Sequence, residues 1–220
     1  MNFDLAIVEE NAGQIWRGFL ATIGLSVVIL LVGTALGTGI AFARESCNRF
    51  LSLPAAAFVN LFRATPALVV LYFTFYAFPQ FGVRMTPIAA ATVGLATIGT
   101  AYLSEDIRGS LRAIDPGQWR AANALGMPYW WTVRRIVLPQ MIPIAVAPYI
   151  TRAMLIVKST SIAGIVAVSD LTGVTSGLVS LTYRAVEFLT VAATLYLLLN
   201  TVLSILQIWA ERRFVLRSGH

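Results

Sequence analysis

Charge is scarce in this 220-residue chain, and cysteine and histidine are nearly missing. Only 12% of the residues are charged, about half the ~25% that a soluble domain carries. Water is therefore not the main solvent. Cys47 is the only cysteine, which excludes an internal disulfide and a cysteine zinc site. The single histidine is His220, which excludes histidine zinc clusters and Ser-His-Asp triads. Lys158-Ser159-Thr160 resembles the end of a phosphate-binding loop, but the upstream glycines are absent. ATP is not bound by that route. No basic segment precedes the first apolar run, which is too long for a cleaved signal core; it reads as a retained helix.

What the chain has is apolar sequence, 58% of it, with a mean hydropathy of +0.78. Gly18–Ala43, Ala64–Val83, Met85–Ser104 and Phe188–Ala210 each reach the ~20 residues needed to span hydrocarbon. A fifth run starts at Ile136 and contains Arg152. The expected fold is an all-α integral membrane protein with five spans, four or six being the alternatives, in a single domain over 1–220. There is no room for a folded soluble domain and no internal repeat.

The net charge of +6 would suit nucleic acid, but its distribution follows membrane topology. If the first span exits to the cytoplasm, eleven of the sixteen basic residues, from Arg44 and Arg49 to Arg212, Arg213 and Arg217, fall on that side. Arg17, Arg84, Arg184, Arg152 and Lys158 are the other five. The positive-inside rule places the N-terminus outside and the C-terminus in the cytoplasm. No nucleic-acid partner is expected.

Residues 1–17 read as a short interfacial helix anchored by Trp16. Gly33-xxx-Gly37 in the first span permits close helix packing. Arg44 to Leu53 reads as a cytoplasmic loop, Pro79 to Pro87 as an outer turn, Ile162 to Val168 as a re-entrant or interfacial piece, and 169–183 as an outer segment rich in Gly, Thr and Ser.

Arg152 is the sharpest single residue. An arginine within a span costs at least ~2.5–3.5 kcal/mol on insertion scales, so it must face protein or a water-filled cavity. It either grips a substrate carboxylate or pairs with Glu105, Asp170 or Glu187. Thr151 extends the same polar patch. Glu105 and Asp106 suit ion pairs with Arg108, Arg63 or a partner, with substrate contact as the second role for Glu105. Tyr72, in an aromatic run, is a further candidate for substrate contact.

The polar interlude from Gln118 to Gln140 interrupts this membrane protein with either a docking surface or an ordinary interfacial loop. Arg120-Ala121-Ala122 are followed by Gly126 and then by Ile136-Val137-Leu138-Pro139. Gly126 ends one helix in the left-handed conformation, Pro128 opens a second, and Pro139 closes the segment. The spacing resembles the EAA loop of ABC-importer permeases, with Arg120 in place of the glutamate. Arg63-Ala64-Thr65-Pro66, Ala101-Tyr102-Leu103-Ser104-Glu105, Gly117-Gln118-Trp119, Ala124-Leu125-Gly126 and Lys158-Ser159-Thr160-Ser161 resemble the polar amino-acid subfamily of these permeases.

The resemblance implies a five-helix type I core and a non-catalytic subunit of the inner membrane, with a coupling loop over about 114–139. It implies a second permease chain, two cytoplasmic ATPase subunits that bind ATP and Mg, and an extracytoplasmic binding protein delivering an amino-acid-like substrate. No cofactor is expected on this chain. Gln118, Arg120, Ala121, Ala122, Gly126, Arg134 and Arg135 would meet the ATPase, and Thr151, Arg152, Glu105 and Tyr72 would meet substrate. A secondary transporter would show inverted repeats, which are not found; a channel or scaffold would bind no ATPase.

Overall fold

The computed structural model describes residues 4–214; Arg217 and His220 lie outside them. The described residues form helices and turns only. Helix α1 (Leu5–Glu45) begins at Asp4, whose carboxylate accepts the Ala6 N–H at 3.0 Å. It runs unbroken for 41 residues, so the expected separate interfacial helix over 1–17 is instead the start of the first span. Nothing between Leu5 and Glu45 breaks the helix: there is no proline, and glycine alone costs only ~1 kcal/mol.

Helix α2 (Arg49–Ala64) occupies much of the expected loop and stops at Thr65. Proline disfavours helical backbone in the residue before it, and Thr65 is extended (φ −91°, ψ 131°). Helix α3 (Ala67–Tyr72) leaves Pro66, and a π-turn (Phe73–Ala77) and a 3-10 turn (Phe78–Phe81) continue it. The two halves meet at 104°. Apolarity alone marked the second half as a span and hid the bend.

Helix α4 (Pro87–Arg112) continues past Ser104, where the apolar run ends. Glu105, Asp106, Arg108 and Arg112 therefore sit on helix. Helix α5 (Pro116–Ala124) and helix α6 (Tyr129–Thr132) follow. A π-turn (Val133–Val137) joins α6 to helix α7 (Leu138–Thr160). Pro139 therefore lies inside a continuous helical rod and does not close the segment. Proline cannot bond to the carbonyl four residues back and clashes with it; the wider π-turn relieves this. The other π-turn likewise ends two residues before a proline, Pro79.

A 3-10 turn (Ser161–Val166) follows α7, with Ala163 and Val166 buried in the core against Leu25 and Ile29 of α1. This six-residue turn is too short to span, and two of its residues are buried in the core. Helix α8 (Leu171–Thr182) forms within the segment 169–183. Asp170 caps it, accepting the Gly173 N–H at 2.9 Å, and Leu171 and Leu178 turn inward beside Phe188. Helix α9 (Ala185–Phe214) completes the chain.

Among the described residues, four helices are long and apolar enough to cross a membrane, and five spans result if the bent α2–α3 pair is one. The α1–α4 contact is the centre of the fold. A Cβ at Gly33 would lie 2.8 Å from the Leu103 side chain, and one at Gly37 3.1 Å from the Ser104 backbone nitrogen. Glycine lets the two helices come this close without displacing either neighbour.

Candidate functional site

Where the α2–α3 bend meets α1, α4 and α7, a pocket of about 520 Å³ opens. The break supplies Arg63, Thr65 and Pro66, α4 supplies Leu95, Gly99 and Tyr102, and α7 supplies Arg152, Ile156 and Ser159. Its charged walls are two guanidiniums near one aromatic ring. Arg152 lies 4.5 Å and Arg63 5.5 Å from the centre of the Tyr102 ring, within reach of cation–π attraction.

Arg152 pairs with Asp106, which was not among its expected partners. Its Nε donates to Oδ2 at 2.7 Å and its Nη2 to Oδ1 at 3.1 Å, with both side chains 19% exposed. Asp170 and Glu187 belong to other clusters. Asp170 sits by Thr172, Gly173 and Tyr196, and Glu187 pairs with Arg184 at 3.3 Å. The Asp106 pairing depends on α4 being helical past Ser104, which apolarity did not indicate.

Glu105 is bound below the pocket and does not line it. Arg108 donates to both of its oxygens at 2.8 Å, Arg63 reaches it at 3.3 Å, and Arg44 also pairs with it. Arg108 extends to Glu45 at 3.5 Å, and Glu45 accepts from Arg112 at 2.8 Å. The result is a chain of charges from the pocket wall to the end of α4. Arg44 and Glu45 had no role from sequence.

Thr151 and Tyr72 do not line the pocket. Thr151 is one residue, ~100° of rotation, from Arg152 around the helix. Its hydroxyl bonds the Ala147 carbonyl at 3.0 Å and Gln207 of α9 at 3.5 Å. Tyr72 is exposed, its ring 5.7 Å from that of Tyr76.

The docking loop forms at the end of α4. Asp115 caps α5, accepting the Gly117 N–H at 2.7 Å, with Pro116 in its first turn. Gly126 takes φ +68°. The Met127 N–H bonds the Ala122 carbonyl, and the Gly126 N–H bonds the Asn123 carbonyl, both at 3.0 Å. This paired closure is the Schellman motif. Trp119 of α5 stacks on Tyr129 of α6 at 5.7 Å, folding the two helices together. Gln118, Arg120, Ala121, Gly126, Arg134 and Arg135 are exposed. Ala122 is fully buried and cannot touch a partner directly; its small side chain lets α5 lie close to the rest of the chain. Arg120 lines a recess of about 540 Å³ with Glu45, Arg112 and Trp119.

Residues 33–216 match the family of binding-protein-dependent transport system inner membrane components. The chain belongs to this family. It is 35% identical over 228 aligned positions to the octopine transport system permease protein OccM of Rhizobium radiobacter, covering 97% of this chain and 93% of that one. It is 32% identical over 169 residues to the probable amino-acid ABC transporter permease protein YckA of Bacillus subtilis (strain 168), covering 77% and 75%. A crystal structure of an amino acid ABC transporter with histidines has the same fold. Its TM-score is 0.90 at 28% identity, covering 97% of this chain and all of that one. As a permease of this family, the chain is a multi-pass inner-membrane subunit and is itself non-catalytic.

Proposed function

We propose that this chain is a transmembrane subunit of an ATP-driven importer that moves an amino acid or related small zwitterion. The observation that carries this reading is the pair of guanidiniums facing one membrane pocket. A guanidinium offers five N–H donors, and Asp106 engages Nε and Nη2 of Arg152. Nη1 is left for a ligand carboxylate, a charge-assisted contact about twice as strong as a neutral one. Asp106 orients Arg152 and competes with the ligand for it. One relative is a permease of an octopine transport system, and octopine is an amino-acid derivative, which supports the substrate class.

In this reading a second permease chain pairs with this one, and an extracytoplasmic binding protein delivers substrate. Two cytoplasmic ATPase subunits hold ATP and Mg; this chain holds no cofactor. The surface of Gln118, Arg120, Ala121 and Gly126, with Arg134 and Arg135 at its rim, docks into the ATPase. Arg120 calls for an acidic or neutral ATPase residue opposite. ATP favours a closed ATPase pair and an outward-facing pocket, and hydrolysis resets it, since a ligand shifts an equilibrium only by binding two states differently. The N-terminus faces outside.

The test is ATP hydrolysis and uptake by the complex in proteoliposomes, wild type beside Gly126→Arg and Arg152→Ala. Gly126→Arg should abolish hydrolysis that responds to substrate while the chain still inserts. Arg152→Ala should leave the complex assembled and weaken uptake about tenfold or more, the weight of a lost hydrogen bond to a charged group. Unchanged uptake kinetics would remove Arg152 from the site. Failure of any ATPase to associate would favour a channel or scaffold.

A further inference from the structure

Beside the docking helix, four exposed side chains form a recess, in which Trp130 and Trp131 have no assigned role and Arg134 and Arg135 were given only the rim of the ATPase surface. Trp130, Trp131, Arg134 and Arg135 alone line a space of about 460 Å³. Trp130 is 65% and Trp131 53% exposed. The guanidinium of Arg135 lies 4.2 Å from the Trp131 ring centre. Among the described residues, no carboxylate pairs with Arg134 or Arg135. On the inward side of the same segment, Thr132, Val133 and Val137 are buried. The rod from Tyr129 to Val166 is long and apolar enough to cross a membrane, so the recess lies at its entry.

Tryptophan concentrates at the level of lipid headgroups, and basic residues next to a span attract anionic lipid. Both occur here in one concave surface, as two Trp–Arg pairs four residues apart. We infer that this recess binds the phosphate headgroup of an anionic phospholipid, with the guanidiniums on the phosphate oxygens and the indoles on the glycerol and upper acyl chain. The charge favours phosphatidylglycerol over phosphatidylcholine, whose phosphate carries its own cation. This inference needs α7 to span the membrane, is independent of the substrate, and gives Arg134 and Arg135 to lipid in place of the ATPase rim, leaving Gln118, Arg120, Ala121 and Gly126 for the ATPase.

The experiment is native mass spectrometry of the full transport complex released from nanodiscs of equal phosphatidylglycerol and phosphatidylcholine. Wild type should retain phosphatidylglycerol in preference, by about fivefold for each engaged arginine. Arg134→Gln/Arg135→Gln should retain the two lipids equally, and Arg134→Lys/Arg135→Lys should keep most of the preference. Equal retention by wild type would overturn the inference, as would an unchanged preference in the glutamine variant or its loss in the lysine variant. If the glutamine variant sheds the ATPase while keeping its lipid preference, the recess is a protein contact and the inference fails.

Discussion

The two ends of α1 are held by opposite means. Near its start, Gly18 lies against α8, where an added Cβ would come 3.0 Å from the Asp170 carbonyl oxygen. There Thr22 accepts the Leu171 N–H at 3.0 Å, and Asp170 sits among Gly173, Thr172 and Tyr196. Polar groups at this end are buried and act locally, on neighbouring backbone. Near its finish, Arg44 and Glu45 join a partly open relay in which Glu105 serves three arginines and Glu45 two. Backbone contacts of fixed geometry permit one arrangement. Charges with several partners permit exchange at small cost, which suits the end from which α4 leads to the docking loop.

The largest effect should come from breaking the fixed end. A Cβ on Gly173 would sit 2.1 Å from the Val168 carbonyl oxygen and 3.2 Å from Gly164. Gly173→Ala should cost about 3 kcal/mol, at the upper end of overpacking, read as a loss of thermal stability in detergent. Glu105→Gln, at the other end, should cost about 2 kcal/mol because it leaves three guanidiniums short of a partner. Added salt should restore part of that loss by screening, whereas Gly173→Ala should not respond; an equal response of both would erase the contrast between the ends.

Asp106→Asn tests whether the exchange reaches the pocket. It frees Arg152 from a competing carboxylate, so apparent affinity for a carboxylate substrate should rise a few-fold in uptake assays, with stability lower by about 1 kcal/mol. Affinity that falls would make Asp106 a support for Arg152 and not its competitor.

The smallest effect is a pH slope. Burial pushes the Asp170 carboxyl above its ordinary 3.8, against the lowering effect of the Gly173 N–H. The folded chain then binds this proton more tightly than the unfolded one. The associated stability is full below the unfolded value and is lost as pH rises through the raised folded value. Asp170→Asn keeps an N-cap acceptor and removes the titration, so melting temperature should fall less steeply with pH over that window. An unchanged slope would exclude Asp170 as its source.

How far each end was legible follows from what its residues signal locally. Gly126 announced its left-handed turn because no other residue adopts it so readily, and Gly33 and Gly37 announced a close helix contact. Thr65-Pro66 announced less than it does, since a span read by apolarity has no direction, and the 104° bend that opens the pocket went unseen. Arg152 was recognisable from its cost in a span. Its partner was not, because the apolar run ends at Ser104 while α4 continues to Arg112. Where a helix outlasts its apolar signal, charges beyond the signal become partners of charges elsewhere.

The π-turn at Val133–Val137 gives the docking surface a setting of its own. Each residue of an α-helix turns the chain ~100°, so the wider turn fixes how far around the rod everything before it points, relative to the pocket-lining face of α7. Removing one residue there would leave α5 and α7 each intact and re-aim one against the other. The alignment between the face proposed to meet a partner and the face that lines the pocket is thus written in a residue count, and a one-residue deletion would act as a change of gear between two undamaged parts.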